Sequence, residues 1–244
     1  MSRIFLSIAA GPGIALATAL RFAREGYSIV LASRNPERLA SCVAEIEAVG
    51  GTAQTRQVDA SSPTAVAALV EGIGADLHVM HYNAGVLHYD ADDHLLTRTL
   101  DDETVDTLVC DLQVNVTSAL VAMKAAMPAM QARRSGSLLL TGGGLAFGPT
   151  GAYLTLSVGK SALRAAVLAL SQPLQKQGIH VASVIVCHEV LPGSTHAIAI
   201  ADEFWRMHAE EPGQWTFEAL YGKDGGPGHN VRVPDLKAQA QAGV

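Results

Sequence analysis

The sequence predicts an α/β fold: one domain built on a doubly wound parallel sheet, with helices on both faces. Three observations carry that expectation. Short apolar runs alternate along the chain with longer segments of helical periodicity. The runs are continuously apolar rather than alternating, as in strands buried on both faces. The 244 residues fit one large unit at roughly 150 residues per domain.

The elements follow in order. Ile4 to Ile8 reads as a buried strand, then a glycine turn leads into a helix from Ile14 to Arg24, stopped by Gly26. Tyr27 to Ala32 is a second strand. Asn35 is placed to cap a helix that Pro36 opens, where a missing N–H costs least. Ala53 to Val58 gives a third strand, and Ser62-Pro63 repeats the cap-plus-proline start. Leu77 to Tyr82 is a fourth strand running straight into Asn83-Ala84-Gly85. Long helices are expected near Val105 to Met127 and Leu156 to Gln172, separated by the strand Ser137 to Thr141; a sixth strand spans His180 to Val186. Phe204, Trp205 and Met207 suggest an apolar helix face in a substrate-side segment at 187–221. Beyond it, 222–244 is rich in glycine and reads as a flexible tail, which leaves 1–221 as the folded domain.

Composition narrows the function. An apolar fraction of 49% excludes a disordered acidic chain, and a net charge of -6 argues against nucleic acid as the main partner. Cys42, Cys110 and Cys187 are too few, too scattered and odd in number for a disulfide framework, which points to the reduced cytoplasm. The first apolar run is broken by Gly11-Pro12-Gly13 before any cleavage site, and no stretch of about 18 apolar residues is uninterrupted. Neither a signal peptide nor a membrane span is expected.

In a doubly wound sheet, ligands bind beyond the carboxyl ends of the strands. Gly11, Gly13 and Ile14 lie after the first strand at a helix N-terminus, where free N–H groups favour a pyrophosphate. Ser33 and Arg34 end the second strand; an arginine there can hold the 2′-phosphate of NADP, whereas NAD calls for an acidic residue. The plainer alternative for Arg34 is a solvated side chain beside a helix cap.

Read together, Gly13 to Gly26, Asp59-Ala60, Tyr82-Asn83-Ala84-Gly85, Asn115 and Lys160 resemble the short-chain dehydrogenase/reductase superfamily, over about residues 3 to 186. The resemblance implies a Rossmann-like fold and a small-molecule substrate, with a homodimer or homotetramer formed through the long helices. It implies adenine contact at Asp59 and Ala60, and a cofactor-side turn at Asn83, Ala84 and Gly85. Lys160 is implied on the nicotinamide ribose, with a structural and proton-relay role at Asn115. The departures are chemical. The family's glycine loop falls on Ile8, Ala9, Gly13 and Ala15, where Gly11 can supply an unusual backbone angle. The family's catalytic tyrosine falls on Leu156, four residues before Lys160, and its serine near Gly143. A less characterised subgroup resembles this pattern, Gly142-Gly143-Gly144-Leu145-Ala146 with Leu156-Ser157-Val158-Gly159-Lys160.

Leucine and glycine move no proton, so other donors are needed. His188 follows the sixth strand, His88 follows the Asn-Ala-Gly turn, and Tyr153 precedes Lys160 by seven residues, about 10 Å along a helix. Each has a packing alternative. No metal is expected: His78 and His81 point to opposite faces of a strand, and Asp90, Asp92, Asp93 and His94 read as a solvated acidic loop. Two functions remain: an NADP-dependent oxidoreductase (NAD being the other dinucleotide) acting on a small carbonyl, alcohol or imine, or a catalytically silent dinucleotide-binding sensor.

Overall fold

The computed structural model describes residues 3–92, 94–222 and 227–232, the last six through their backbone alone. Eight strands form one sheet: β1 (Ile4–Ile8), β2 (Ser28–Ser33), β3 (Thr52–Gln57), β4 (Leu77–Tyr82), β5 (Gly136–Gly143), β6 (Ile179–Val186), β7 (Thr216–Tyr221) and β8 (Pro227–Arg232). Their order is β3-β2-β1-β4-β5-β6-β7-β8. The pairs from β3 through β7 are parallel and β8 pairs antiparallel with β7. The chain winds outward from β1 to β3, then returns to start again at β4. The switch point therefore lies between β1 and β4.

Period-two alternation divides β1, β2, β4, β5 and β6 between two cores. Leu6, Ile8, Met80, Leu138 and Leu140 face the layer of α3 (Pro63–Ile73), α5 (Ser118–Arg133) and α6 (Leu154–Gln175). Phe5, Ile29, Val79, Leu139 and Val184 face α1 (Ile14–Arg24), α2 (Ala40–Ala48) and α7 (Thr195–His208). Burial of both faces explains the continuous apolar runs.

Several boundaries differ from the sequence expectation. Pro36 opens a short 3-10 turn, Pro36–Leu39, and α2 begins only at Ala40; the Asn35 side chain makes no cap bond. Ser62 does cap α3, its Oγ accepting from the Ala65 N–H at 3.3 Å. The long helix expected from Val105 is interrupted: α4 (Val105–Leu112) passes through a π-helical turn, Gln113–Thr117, into α5. β7 was not read from the sequence, although Pro212-Gly213 and the alternation of Trp215, Phe217, Ala219 and Tyr221 mark it. β8 lies inside the segment read as a tail, whose residues 223–226 and 233–244 fall outside the described residues. The stretch 105–133 and α6 are long and apolar enough to cross a membrane by composition. Here α5 packs against β4, and α6 against β6.

Candidate functional site

The strand carboxyl ends at the switch point gather most of the residues singled out in sequence. After β1, the backbone turns at Ala9 with φ +60°, in the left-handed region, while neither Gly11 nor Gly13 has a positive φ. The unusual angle expected at Gly11 thus falls on an alanine two residues earlier. The Ala10 N–H donates to the Ala32 carbonyl at 2.9 Å, leaning the loop toward β2. A methyl built on Gly11 or Gly13 would meet no atom within 4 Å, so the glycines open a cradle in front of Ile14 and the α1 N-terminus.

At the end of β2, the Ser33 hydroxyl is buried with no hydrogen-bond partner among the described residues. Arg34 beside it is exposed. Its charge reaches Asp59, whose carboxyl is held below its usual range chiefly by the Ser61 N–H, at 2.9 Å, with Arg34 adding to the effect. An orphaned hydroxyl, a solvated guanidinium and an open glycine cradle suit a phosphorylated ribose and a pyrophosphate. The residues present fit a dinucleotide. Ala60, next to Asp59, is half-buried against the core.

Asn83 closes the switch point. Its backbone N–H donates to the Ile8 carbonyl at 3.0 Å, and its Nδ2 donates to the Ala9 carbonyl at 3.3 Å. Ala84 is buried and Gly85 exposed. A Cβ on Gly85 would stand 3.5 Å from both Lys160 Nζ and Leu156 Cδ1, which places the lysine and the leucine side by side below this turn. Lys160 is buried and donates to the Thr141 carbonyl at 2.8 Å; desolvation lowers its pKa to about 8. A Cβ on Gly143 would lie 3.2–3.4 Å from the Lys160 methylenes, so the serine slot is also adjacent to the lysine.

Asn115 sits in the π-helical turn, buried, its Oδ1 accepting from the Val86 N–H at 3.0 Å and its Nδ2 donating to the Thr155 carbonyl at 3.4 Å. Gly159 lets α6 approach this turn: a Cβ there would come within 2.5 Å of the Asn115 Cβ. Such π-turns are often functional.

The three donor candidates separate. His88 is three-quarters buried, and its Nε2 lies 2.8 Å from Asp111 Oδ2 on α4. The same oxygen accepts from the Thr155 hydroxyl at 2.6 Å. Arg98 Nη1 donates to His88 Nδ1 at 3.4 Å, which leaves the imidazole proton on Nε2, facing Asp111. Tyr153, at the N-cap position of α6, lines one small cavity together with His88, Thr155 and Leu156. His188 is exposed, and its ring packs against His196 at 4.4 Å. The structure therefore brings His88 and Tyr153 to the leucine slot and leaves His188 on the surface. Sequence reasoning missed Asp111 and Thr155. Asp111 lies one helical turn before Asn115, a spacing that was available as a signal.

His88, Glu103 and Asp111 have ligand atoms within 4.8 Å of one another. Arg98 already supplies the cation there, with Nη2 at 3.3 Å from Glu103 Oε2. Asp90, Asp92 and His94 cluster on the exposed loop, where Asp90 Oδ1 accepts the N–H groups of the other two; Asp93 lies outside the described residues. A larger polar cavity, about 500 Å³, opens at the opposite end of the sheet. Its Arg3 and Arg134 donate to the carbonyls of Glu25 and Lys176 beyond helix C-termini, a structural use of their charge.

Comparison with known proteins adds an independent line. A model of the short chain dehydrogenase family matches residues 3–196. The chain is 27% identical over 187 residues to 2,5-dichloro-2,5-cyclohexadiene-1,4-diol dehydrogenase LinX of Sphingobium indicum, covering 75% of this chain and 71% of that protein. A short-chain dehydrogenase from Rhodopseudomonas palustris superposes with a TM-score of 0.78 over 90% of this chain and 97% of its own, at 24% identity, a likeness of fold. A short chain dehydrogenase from Burkholderia cenocepacia J2315, solved in complex with NADP, has a TM-score of 0.70 at 26% identity, covering 86% and 91%.

Proposed function

This chain belongs to the short-chain dehydrogenase family of oxidoreductases, and on that premise we propose that it is NADP-dependent, acts on a small alcohol, carbonyl or imine, and moves the substrate proton with His88 in place of a tyrosine. The observation that carries the reading is the buried Lys160, bound to the Thr141 carbonyl beside Gly85 at the switch point. Its ammonium has three donors and one carbonyl partner here, so a ribose hydroxyl would offset part of the cost of its burial. Gly11, Gly13 and Ile14 would hold the pyrophosphate, and Ser33 with Arg34 the 2′-phosphate. Asp59 and Ala60 would face the adenine, with Lys160 on the nicotinamide ribose. The cofactor, when bound, supplies hydride chemistry. The protein's own part is to orient the groups and handle the proton. His88 Nδ1 takes the hydroxyl proton of an alcohol and returns it in the reverse direction, while Asp111 stabilises the imidazolium that forms. The 3.4 Å contact from Arg98 is long enough to be exchanged for substrate. Asn115 holds the Val86 N–H and the start of α6 in place around it.

A second reading, a silent dinucleotide-binding sensor, draws on Leu156 and Gly143, which fill the usual proton-handling places without polar atoms. The reading also includes a cytoplasmic homo-oligomer. Val105, Val109 and Leu112 form one exposed apolar stripe on α4, and Leu120 of α5 and Val158 of α6 are exposed apolar residues as well.

The cofactor assignment is tested by titrating NADPH and NADH against the unsubstituted protein and Arg34→Ala. A charge-assisted contact to the 2′-phosphate contributes about 1.5–3 kcal/mol, so NADPH should bind roughly ten- to hundredfold more tightly, and the substitution should remove most of that difference. Equal curves for the two dinucleotides in the unsubstituted protein would sink the assignment.

A further inference from the structure

We propose that His81, a residue with no place in the proton chemistry above, is a positioning residue for the dinucleotide site. It anchors a buried chain of hydrogen bonds that fixes the ends of β1, β4 and β5 to one another. The inference rests on the dinucleotide reading above and names what holds that site in shape.

The strand register creates the juxtaposition. Ser7 on β1 pairs directly with His81 on β4, and His81 pairs with Leu139 on β5, so Thr141 stands two residues further along on the same face. The Ser7 Oγ lies 3.2 Å from His81 Nδ1, and His81 Nε2 lies 3.0 Å from Thr141 Oγ1. Thr141 Oγ1 donates to Asn83 Oδ1 at 2.8 Å, and Asn83 Nδ2 donates to the Ala9 carbonyl at 3.3 Å. Lys160 joins the same residue through the Thr141 carbonyl.

The direction of every bond follows by elimination. Thr141 has one hydroxyl proton and gives it to Asn83, so its oxygen must accept from His81, whose proton is therefore on Nε2. His81 Nδ1 is then left as an acceptor, and Ser7 donates to it. The imidazole is fully buried between Phe5 and Phe204, with ring centroids at 5.9 and 4.8 Å. Burial lowers its pKa to about 3, so it keeps one N–H at neutral pH and the chain keeps one direction. The chain ends on the carbonyl of Ala9, the residue held at positive φ where the loop turns toward the cradle. A strained backbone persists only where its surroundings determine it, and the Asn83 amide supplies that restraint.

The test compares Thr141→Val, which keeps the shape and loses the hydroxyl, with Thr141→Ser, which keeps it, and with His81→Leu. NADPH affinity is titrated for each protein, with far-UV circular dichroism confirming the fold. Thr141→Val should bind NADPH about tenfold more weakly and Thr141→Ser within about twofold of the unsubstituted protein. Adding His81→Leu to Thr141→Val should cost little more, because both cut one chain. Long-range 15N NMR should find the His81 proton on Nε2. Equal NADPH affinity for the folded valine and serine variants, or a proton on Nδ1, would overturn the proposal. If the unsubstituted protein bound no dinucleotide, the function reading would fall, and hydrogen exchange of the Asn83 side-chain amide would judge this one. Faster exchange in Thr141→Val than in Thr141→Ser would support it, and equal rates would overturn it.

Discussion

Ala9 shows what a single methyl does in this loop. The family's pattern has glycine in that slot, and the structure places the alanine at φ +60°. A left-handed L-residue costs roughly 1–2 kcal/mol, partly offset because glycine loses more freedom on folding. Ala9→Gly should therefore stabilise the protein by about 1 kcal/mol, read as a higher urea midpoint at unchanged slope. A lower midpoint would mean that the methyl packs usefully against the core it borders. Residues fixed by local chemistry, such as Arg34 at a strand end or Asn83 after one, were legible in sequence. The pairing of His88 with Asp111 was not, because it joins a loop to a helix 23 residues away and only folding brings them together.

At the scale of elements, β1, β2, β4 to β6, α1, α3 and the core of α6 could be read from apolar patterning and from the Ser62-Pro63 start, whereas β3 is mostly polar and exposed. Most of the errors sit where tertiary contact overrides local preference. Asn35 occupies a cap position, yet the chain spends its first turn in 3-10 geometry before α2 starts. The break between α4 and α5 has no proline or glycine to announce it. Its cause lies in the site: the π-helical turn directs Asn115 toward Val86 and Thr155, and Gly159 on α6 provides the room. A continuous α-helix would carry Asn115 elsewhere. The segments after β6 were the least legible: Phe204, Trp205 and Met207 marked an apolar face within α7, but the bounds of α7 and the strand β7 went unread, and both complete the sheet layers through contacts with α1 and β6.

For the molecule as a whole, buried histidines couple folding to pH. Desolvation lowers His81 to about 3, and His180 and His208 each to about 4, against 6.5 when exposed. A histidine depressed in the folded state favours folding most at pH above its unfolded value. That advantage is lost as pH falls through 6.5 toward 4, because the unfolded chain binds protons that the folded one refuses. Each group should remove about 1–2 kcal/mol by pH 5. Urea midpoints should therefore drop steeply between pH 7 and pH 5. A flat profile over that window would mean that the three rings take up protons without disturbing the core.

The central claim is that a carboxylate-held histidine moves the substrate proton, beside a buried lysine that binds the dinucleotide, where tyrosine and serine are absent. It is tested most directly by following NADPH formation from NADP and a panel of small secondary alcohols, in the unsubstituted protein and in His88→Ala. The account predicts measurable turnover that falls by about 10²–10⁴-fold in His88→Ala while NADPH affinity stays the same. Turnover unaffected by the substitution would contradict it and direct attention to Tyr153, and dinucleotide binding without any turnover would give the silent-sensor reading the lead.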